Sequence, residues 1–167
     1  IEEVLSTEPI IKDKTKPVKL KESPLGIIEF KNVSFKYLNA DEYVLKDINF
    51  ISKPGEITAF IGSTGSGKST LVNLIPRFYD VTEGEILIDG VDIRDISQHD
   101  LRELIGYVPQ KGILFSGSIS SNLKYGDRNA SDEDIKLAAD IAQATSFIES
   151  IEGEFDSPIS QGGTNIS

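Results

Sequence analysis

Eight residues constrain this chain more than any others: Gly62-Ser63-Thr64-Gly65-Ser66-Gly67-Lys68-Ser69 fits the pattern G-x-x-x-x-G-K-[ST] at every required place. The pattern has a physical reason. Small residues let backbone N–H groups turn inward, and a following helix adds about half a positive charge at its N-terminus, so an anion is held by amides and a dipole together. Lys68 would neutralise the outer phosphate oxygens, and the hydroxyl of Ser69 would ligate a hard divalent cation. A merely flexible glycine turn would not need the Lys-Ser pair or its flanking elements.

Those flanks have the right character. Glu56 to Ile61 (EITAFI) is almost wholly apolar and reads as a strand buried on both faces, following a turn at Lys53-Pro54-Gly55. Ser69 to Ile75 (STLVNLI) has helical spacing and is stopped by Pro76. Upstream, IIEFKNVSFKY and VLKDINFI alternate apolar and polar residues, which predicts two paired antiparallel strands. Downstream, GEILIDGVDI predicts a hairpin turning at Asp89-Gly90, Ser97 to Leu104 a short helix capped by Ser97, and Ile105 to Val108 another buried strand. From Ser131 to Ser150 the spacing predicts one amphipathic helix, with Ser131 and Asp134 as its capping pair.

Residues 1–24 read as a tail. The stretch IIKDKTKPVKLKESP holds five Lys, two Pro and no aromatic residue, and its apolar positions follow no period. A composition shift near Leu25 marks the start of the globular part, which at 167 residues in all is one unit rather than two. A net charge of −10 argues against nucleic acid as a partner. With no Cys there can be no disulfide or thiolate metal site, and no apolar run approaches the roughly 20 residues that span a bilayer. The absence of a secretory signal at Ile1 leads us to expect a cytoplasmic location.

Several residues admit two readings from the sequence alone. Tyr37, about thirty residues before Lys68, is either an edge-strand aromatic covering the core or a face for a stacked base. Gln110 is either an ordinary loop residue or an amide able to ligate Mg²⁺ through its oxygen and donate to water through its nitrogen. Ile113, Leu114 and Phe115 either tuck into a local core or form a docking surface. The apolar run EILIDG looks superficially like a strand ending in a metal-holding Asp, but Asp89-Gly90 is a turn pair. His99, the only histidine, sits among polar residues and reads as a surface side chain.

Taken together, VSFKY, GSTGSGKST, GYVPQ and LFSGSISSNLKYG resemble the ATP-binding domain of exporter-type ATP-binding cassette (ABC) transporters, from about Leu25 to the last residue. The resemblance implies an α/β P-loop core with an antiparallel β subdomain and the beginning of a helical subdomain. It implies that Tyr37 stacks on adenine, and that Gly62, Ser63, Thr64, Gly65, Ser66, Gly67, Lys68, Ser69 and Thr70 hold the phosphates of ATP. Ser69 and Gln110 would hold Mg²⁺, with Lys68 and Gln110 as the catalytic residues present. Residues 1–24 become the linker from a membrane domain, and 25–167 the N-terminal portion of the cassette.

The run Gln161 to Ser167 resembles the approach to the family's signature, with Gln161 where many relatives carry Glu. The signature glycines, the Walker B aspartate, the catalytic glutamate and the switch histidine are not among these residues. The expectation is therefore a nucleotide binder that hydrolyses ATP only within a longer parent. Its partners would be a transmembrane domain and a second ATP-binding domain, in a homo- or heterodimer at the cytoplasmic face of the membrane. The rivals are a soluble ABC-type module for assembly or regulation, an inactive nucleotide-binding fragment, and a GTPase or nucleotide kinase. No Asn-Lys-x-Asp guanine reader occurs to favour a GTPase.

Overall fold

Two segments read as strands do not form in the computed structural model, which describes residues 8–21 and 23–165. Residues 56–61 and 105–108 carry no strand, and Ile57 and Ile61 are 98% and 96% exposed. A strand exists only against a hydrogen-bonded neighbour, and among the described residues none lies alongside either segment. Among the described residues, backbone partners within these segments are limited to the amides of Glu56 and Ile105, which donate to the carbonyls of Lys53 and Arg102. What does form divides into two units, Ile1–Tyr107 and Val108–Ser167.

The first unit is built on a four-stranded antiparallel sheet. Its strands are β1 (Ile28–Phe35), β2 (Leu45–Ser52), β3 (Glu83–Ile88) and β4 (Val91–Asp92), in the spatial order β2-β1-β3-β4. The expected pairing of β1 with β2 is present, with Phe30 opposite Phe50 and Phe35 opposite Leu45. Strict alternation would put residues 28, 30, 32 and 34 on one face. Instead Phe30, Val33 and Phe35 are all buried, because Asn32 takes φ 49° and the register shifts there against both neighbouring strands. This bulge changes the parity of β1 so that three large apolar side chains face one core. Gly84 makes room for it: a Cβ at that position would lie 2.3 Å from the carbonyl oxygens of Lys31 and Asn32.

Onto this sheet pack α1 (Lys68–Leu74) and α2 (Gln98–Glu103). Leu71 and Leu74 from α1, Leu101 from α2, and Ile93 and Ile96 from the connection join Phe30, Val33, Phe35, Leu45, Ile86 and Ile88 in one core. Helix α2 begins as expected, the Ser97 hydroxyl accepting from the amide of Asp100. The β3–β4 hairpin turns at Asp89-Gly90, both with positive φ, which is the two-residue turn that matches strand twist. The Asp89 carboxylate also accepts the amides of Leu25, Gly26 and Ile27, which fastens the entry to β1.

Residues 8–21 have no helix or strand, yet part of this segment lies on the first unit. Val18 donates its amide to the carbonyl of Asp95, and Leu20 packs against the core.

The second unit holds a small pair of strands, β5 (Gly117–Ser118) and β6 (Pro158–Ile159), with helices α3 (Ile119–Leu123), α4 (Asp132–Ile141) and α5 (Thr145–Glu149). Short 3₁₀ turns at Glu154–Asp156 and Gln161–Gly163 complete it. Ile119, Ala139, Ile148 and Ile159 form its core. Ser131 and Asp134 make the expected capping box on α4. The single helix expected over 131–150 is instead two, because Gln143 takes φ 56° and breaks the run between α4 and α5. Expectations that fall on residues 1–7, 22, 166 and 167, including the signature serine Ser167, lie outside the described residues.

Candidate functional site

The glycine-rich loop leads directly into α1, whose first residue is Lys68. Gly65 and Gly67 have φ 82° and 86°, a region that other residues enter only under strain. At Gly67 a second constraint applies, because an added Cβ would lie 2.9 Å from Leu45 Cδ2 and 3.2 Å from the Val44 carbonyl. The loop therefore rests on the start of β2, and only glycine fits the contact.

Lys68 folds back over this loop. Its Nζ donates to the carbonyls of Gly62 (2.9 Å) and Ser63 (2.7 Å) and to Ser66 Oγ (3.3 Å). The ammonium is thus held over the ring of residues that would surround a phosphate. Helix α1 has no acidic residue in its first turn and no side chain capping it, so its positive end is not neutralised locally. Residues 62–66 and Ser69 are exposed, whereas Thr70 is buried. Hydroxyl and amide oxygens of the kind carried by Ser69 and Gln110 are hard donors that suit Mg²⁺, which usually completes its shell with substrate phosphates and water. The described residues contain no cluster of three His, Cys, Asp or Glu side chains able to hold a metal by themselves.

Tyr37 is joined to this helix. Its hydroxyl lies 2.9 Å from Thr70 Oγ1. Its ring meets Phe35 and Tyr79 edge-on, at centroid distances of 4.9 and 5.3 Å. Both readings of Tyr37 have a structural counterpart: it covers buried Phe35, and it is still 37% exposed. Tyr37 and residues 62–70 therefore belong to one assembly within the first unit. Gln110 lies exposed in the second unit.

Three further residues were not legible as part of the site. Arg77 is 3% exposed, takes φ 54°, and pairs with Asp80 through Nε at 2.7 Å and Nη2 at 3.2 Å. Tyr79, between them, supplies an edge contact to Tyr37. The sequence signal available was RFYD directly after the helix-ending Pro76, a charge pair bracketing two aromatics.

In the second unit, Ile113, Leu114 and Phe115 line an open apolar cleft of about 300 Å³ with Ile119, Tyr125 and Phe147. Phe115 stacks on Tyr125 at 4.6 Å. His99 is a surface residue, as expected, with its side chain 80% exposed.

A glycine loop running into a helix that starts at Lys68, beside an aromatic tethered to that helix, is the arrangement found in phosphate-binding α/β proteins. The ABC transporter family profile matches residues 45–167, and the chain belongs to that family. It is 49% identical over 140 residues to an ATP-dependent lipid A-core flippase of Syntrophus aciditrophicus, covering 84% of this chain and 23% of that protein. It is 43% identical over 148 residues to the ATP-dependent lipid A-core flippase of Pseudomonas aeruginosa, covering 88% of this chain and 24% of that one. Among solved structures, a bacterial Atm1-family ABC exporter with ATP bound superposes with a TM-score of 0.90 at 34% identity, over 99% of this chain and 28% of the exporter. The chain spans about a quarter of the length of these relatives. No helix among the described residues is long and apolar enough to cross a membrane.

Proposed function

We propose that this chain is the nucleotide-binding part of an ABC exporter and that it takes Mg-ATP at the loop between Gly62 and Thr70. The observation that carries the reading is the position of Lys68. Its ammonium already sits against two loop carbonyls and a hydroxyl, where phosphate oxygens could replace those partners with full negative charge. Amides of residues 63–69 would hold the β-phosphate, and Tyr37 would offer its exposed ring to adenine. Ser69 would hold the metal through its hydroxyl oxygen, and bound Mg²⁺ would neutralise charge on the β- and γ-phosphates.

In the parent protein, hydrolysis would power transport across the membrane, with the cassette at the cytoplasmic face, attached to a transmembrane domain and paired with a second cassette. The relatives named as ATP-dependent flippases and the ATP-bound exporter support that assignment. These 167 residues contain no Asp-Glu pair closing an apolar strand, since the run ending at Asp89 turns into a hairpin. By themselves they bind nucleotide and release phosphate negligibly.

The test is calorimetric titration of the chain and of Lys68→Ala with Mg-ATP, with phosphate release followed in parallel. Losing a charge-assisted contact of about 1.5–3 kcal/mol predicts at least about tenfold weaker binding. Equal affinity of the two proteins overturns the proposal.

A further inference from the structure

The sequence marks residues 1–24 as a tail, but residues 8–21 of it form a strap fastened to the first unit at several points, and one of them leads to Tyr37. Asp13 is the centre of the attachment. Its Oδ1 accepts the backbone amide and the side-chain amide of Gln98, both at 3.1 Å, and lies 3.7 Å from Arg77 Nη1. Arg77 Nη2 donates to the Lys12 carbonyl at 3.3 Å, and Lys14 pairs with Asp95.

Arg77 is an unusual anchor. It is a buried cation on a backbone with φ 54°, a conformation that persists only where the surroundings enforce it. Asp80 satisfies Nε and Nη2, but Nη1 is buried with no hydrogen-bond partner among the described residues. Among the described residues, the carboxylate that pairs with that nitrogen is Asp13. A buried charge that loses a counter-charge is strongly destabilised, so its segment must then rearrange or hydrate.

That segment continues into Phe78 and Tyr79, which with Phe35, Tyr37 and Leu38 line an open cleft of about 700 Å³. Ile10 and Ile11 of the strap line the same cleft, and Tyr79 holds the edge of Tyr37.

We propose that Asp13 is a positioning residue for nucleotide binding: by fixing the strap onto Arg77 it holds Tyr79, and through it Tyr37, in place for the base. The proposal rests on the reading of Tyr37 as the base-stacking residue. It makes residues 8–21 more than a tail, since displacing the strap lowers affinity at the base while leaving the phosphate loop unchanged. By linkage, nucleotide binding would in turn tighten the strap.

The test uses the 167-residue chain and two variants, titrated with Mg-ATP and with Mg-tripolyphosphate, which has the phosphates and no base. Asp13→Asn keeps an acceptor for the Gln98 amides and removes only the charge facing Arg77; Asp13→Ala removes both. A coupling of ordinary size predicts about fivefold or greater loss of Mg-ATP affinity in both variants. Tripolyphosphate affinity should stay within about twofold, since the loop contacts are untouched. Equal losses for the two ligands, or no loss for either, overturn the role of Asp13 while Mg-ATP binding by the unmodified chain stands. Failure of the unmodified chain to bind Mg-ATP overturns both this inference and the function on which it rests.

Discussion

At Gly67 two independent demands meet: a left-handed backbone and contact with β2. Either alone would favour glycine; together they exclude any side chain without movement of the loop or of Val44 and Leu45. Gly67→Ala should therefore cost roughly 1–3 kcal/mol, from the strained φ and the displaced Leu45. Urea unfolding of the two proteins measures this directly, and a midpoint unchanged by the substitution would count against the close approach. The same residue was legible in the sequence, because the motif demands glycine there. Arg77 was not. Its burial follows from the turn after Pro76, which swings the guanidinium inward to carboxylates at positions 13 and 80, and Asp13 lies far away in sequence.

Among the elements, α1 joins the site to the core. Its first turn carries Lys68 and Ser69, and its last presses Leu74, fully buried, against the sheet. Leu74→Ala should cost about 2–5 kcal/mol by leaving a cavity under the helix, with thermal unfolding as the measure. Loss of nucleotide affinity should then follow loss of fold rather than precede it. Elements with a local cause were readable: α2 and α4 from their caps, the β3–β4 hairpin from Asp-Gly, and α1 from its spacing and Pro76. Those with a non-local cause were not. The segment EITAFI has the composition of a buried strand, but burial depends on neighbours that composition does not report, and Ile57 and Ile61 stand exposed. The bulge at Asn32 is of the same kind, since the fit of Gly84 against it is a contact between separate strands.

For the first unit as a whole, acid stability reflects how it is tied together. Burial pushes the Asp89 carboxyl up, but the amides of Ile27, Gly26 and Leu25, with Lys21 nearby, outweigh it and hold the group below its ordinary value. Burial likewise raises Asp92, and bonds from Arg94 reverse the effect. Both groups are more acidic folded than unfolded. Their contribution is complete above the unfolded value of about 3.9 and is lost as pH falls through the lower folded values. Asp89→Asn should therefore lower stability at neutral pH and flatten the decline below about pH 4, as read by unfolding curves across that range. A decline as steep as that of the unmodified protein would assign the acid sensitivity to other groups.

The resting posture of Lys68 also bears on how heat and salt should act on nucleotide entry. On the proposed reading its ammonium would leave three neutral oxygen partners to take up phosphate oxygens, so the swap would trade one set of contacts for another and yield little enthalpy of its own. The driving force lies in meeting full anions in place of dipoles, and ions in the medium compete for that attraction. The contribution of Lys68 to nucleotide capture should thus weaken with ionic strength.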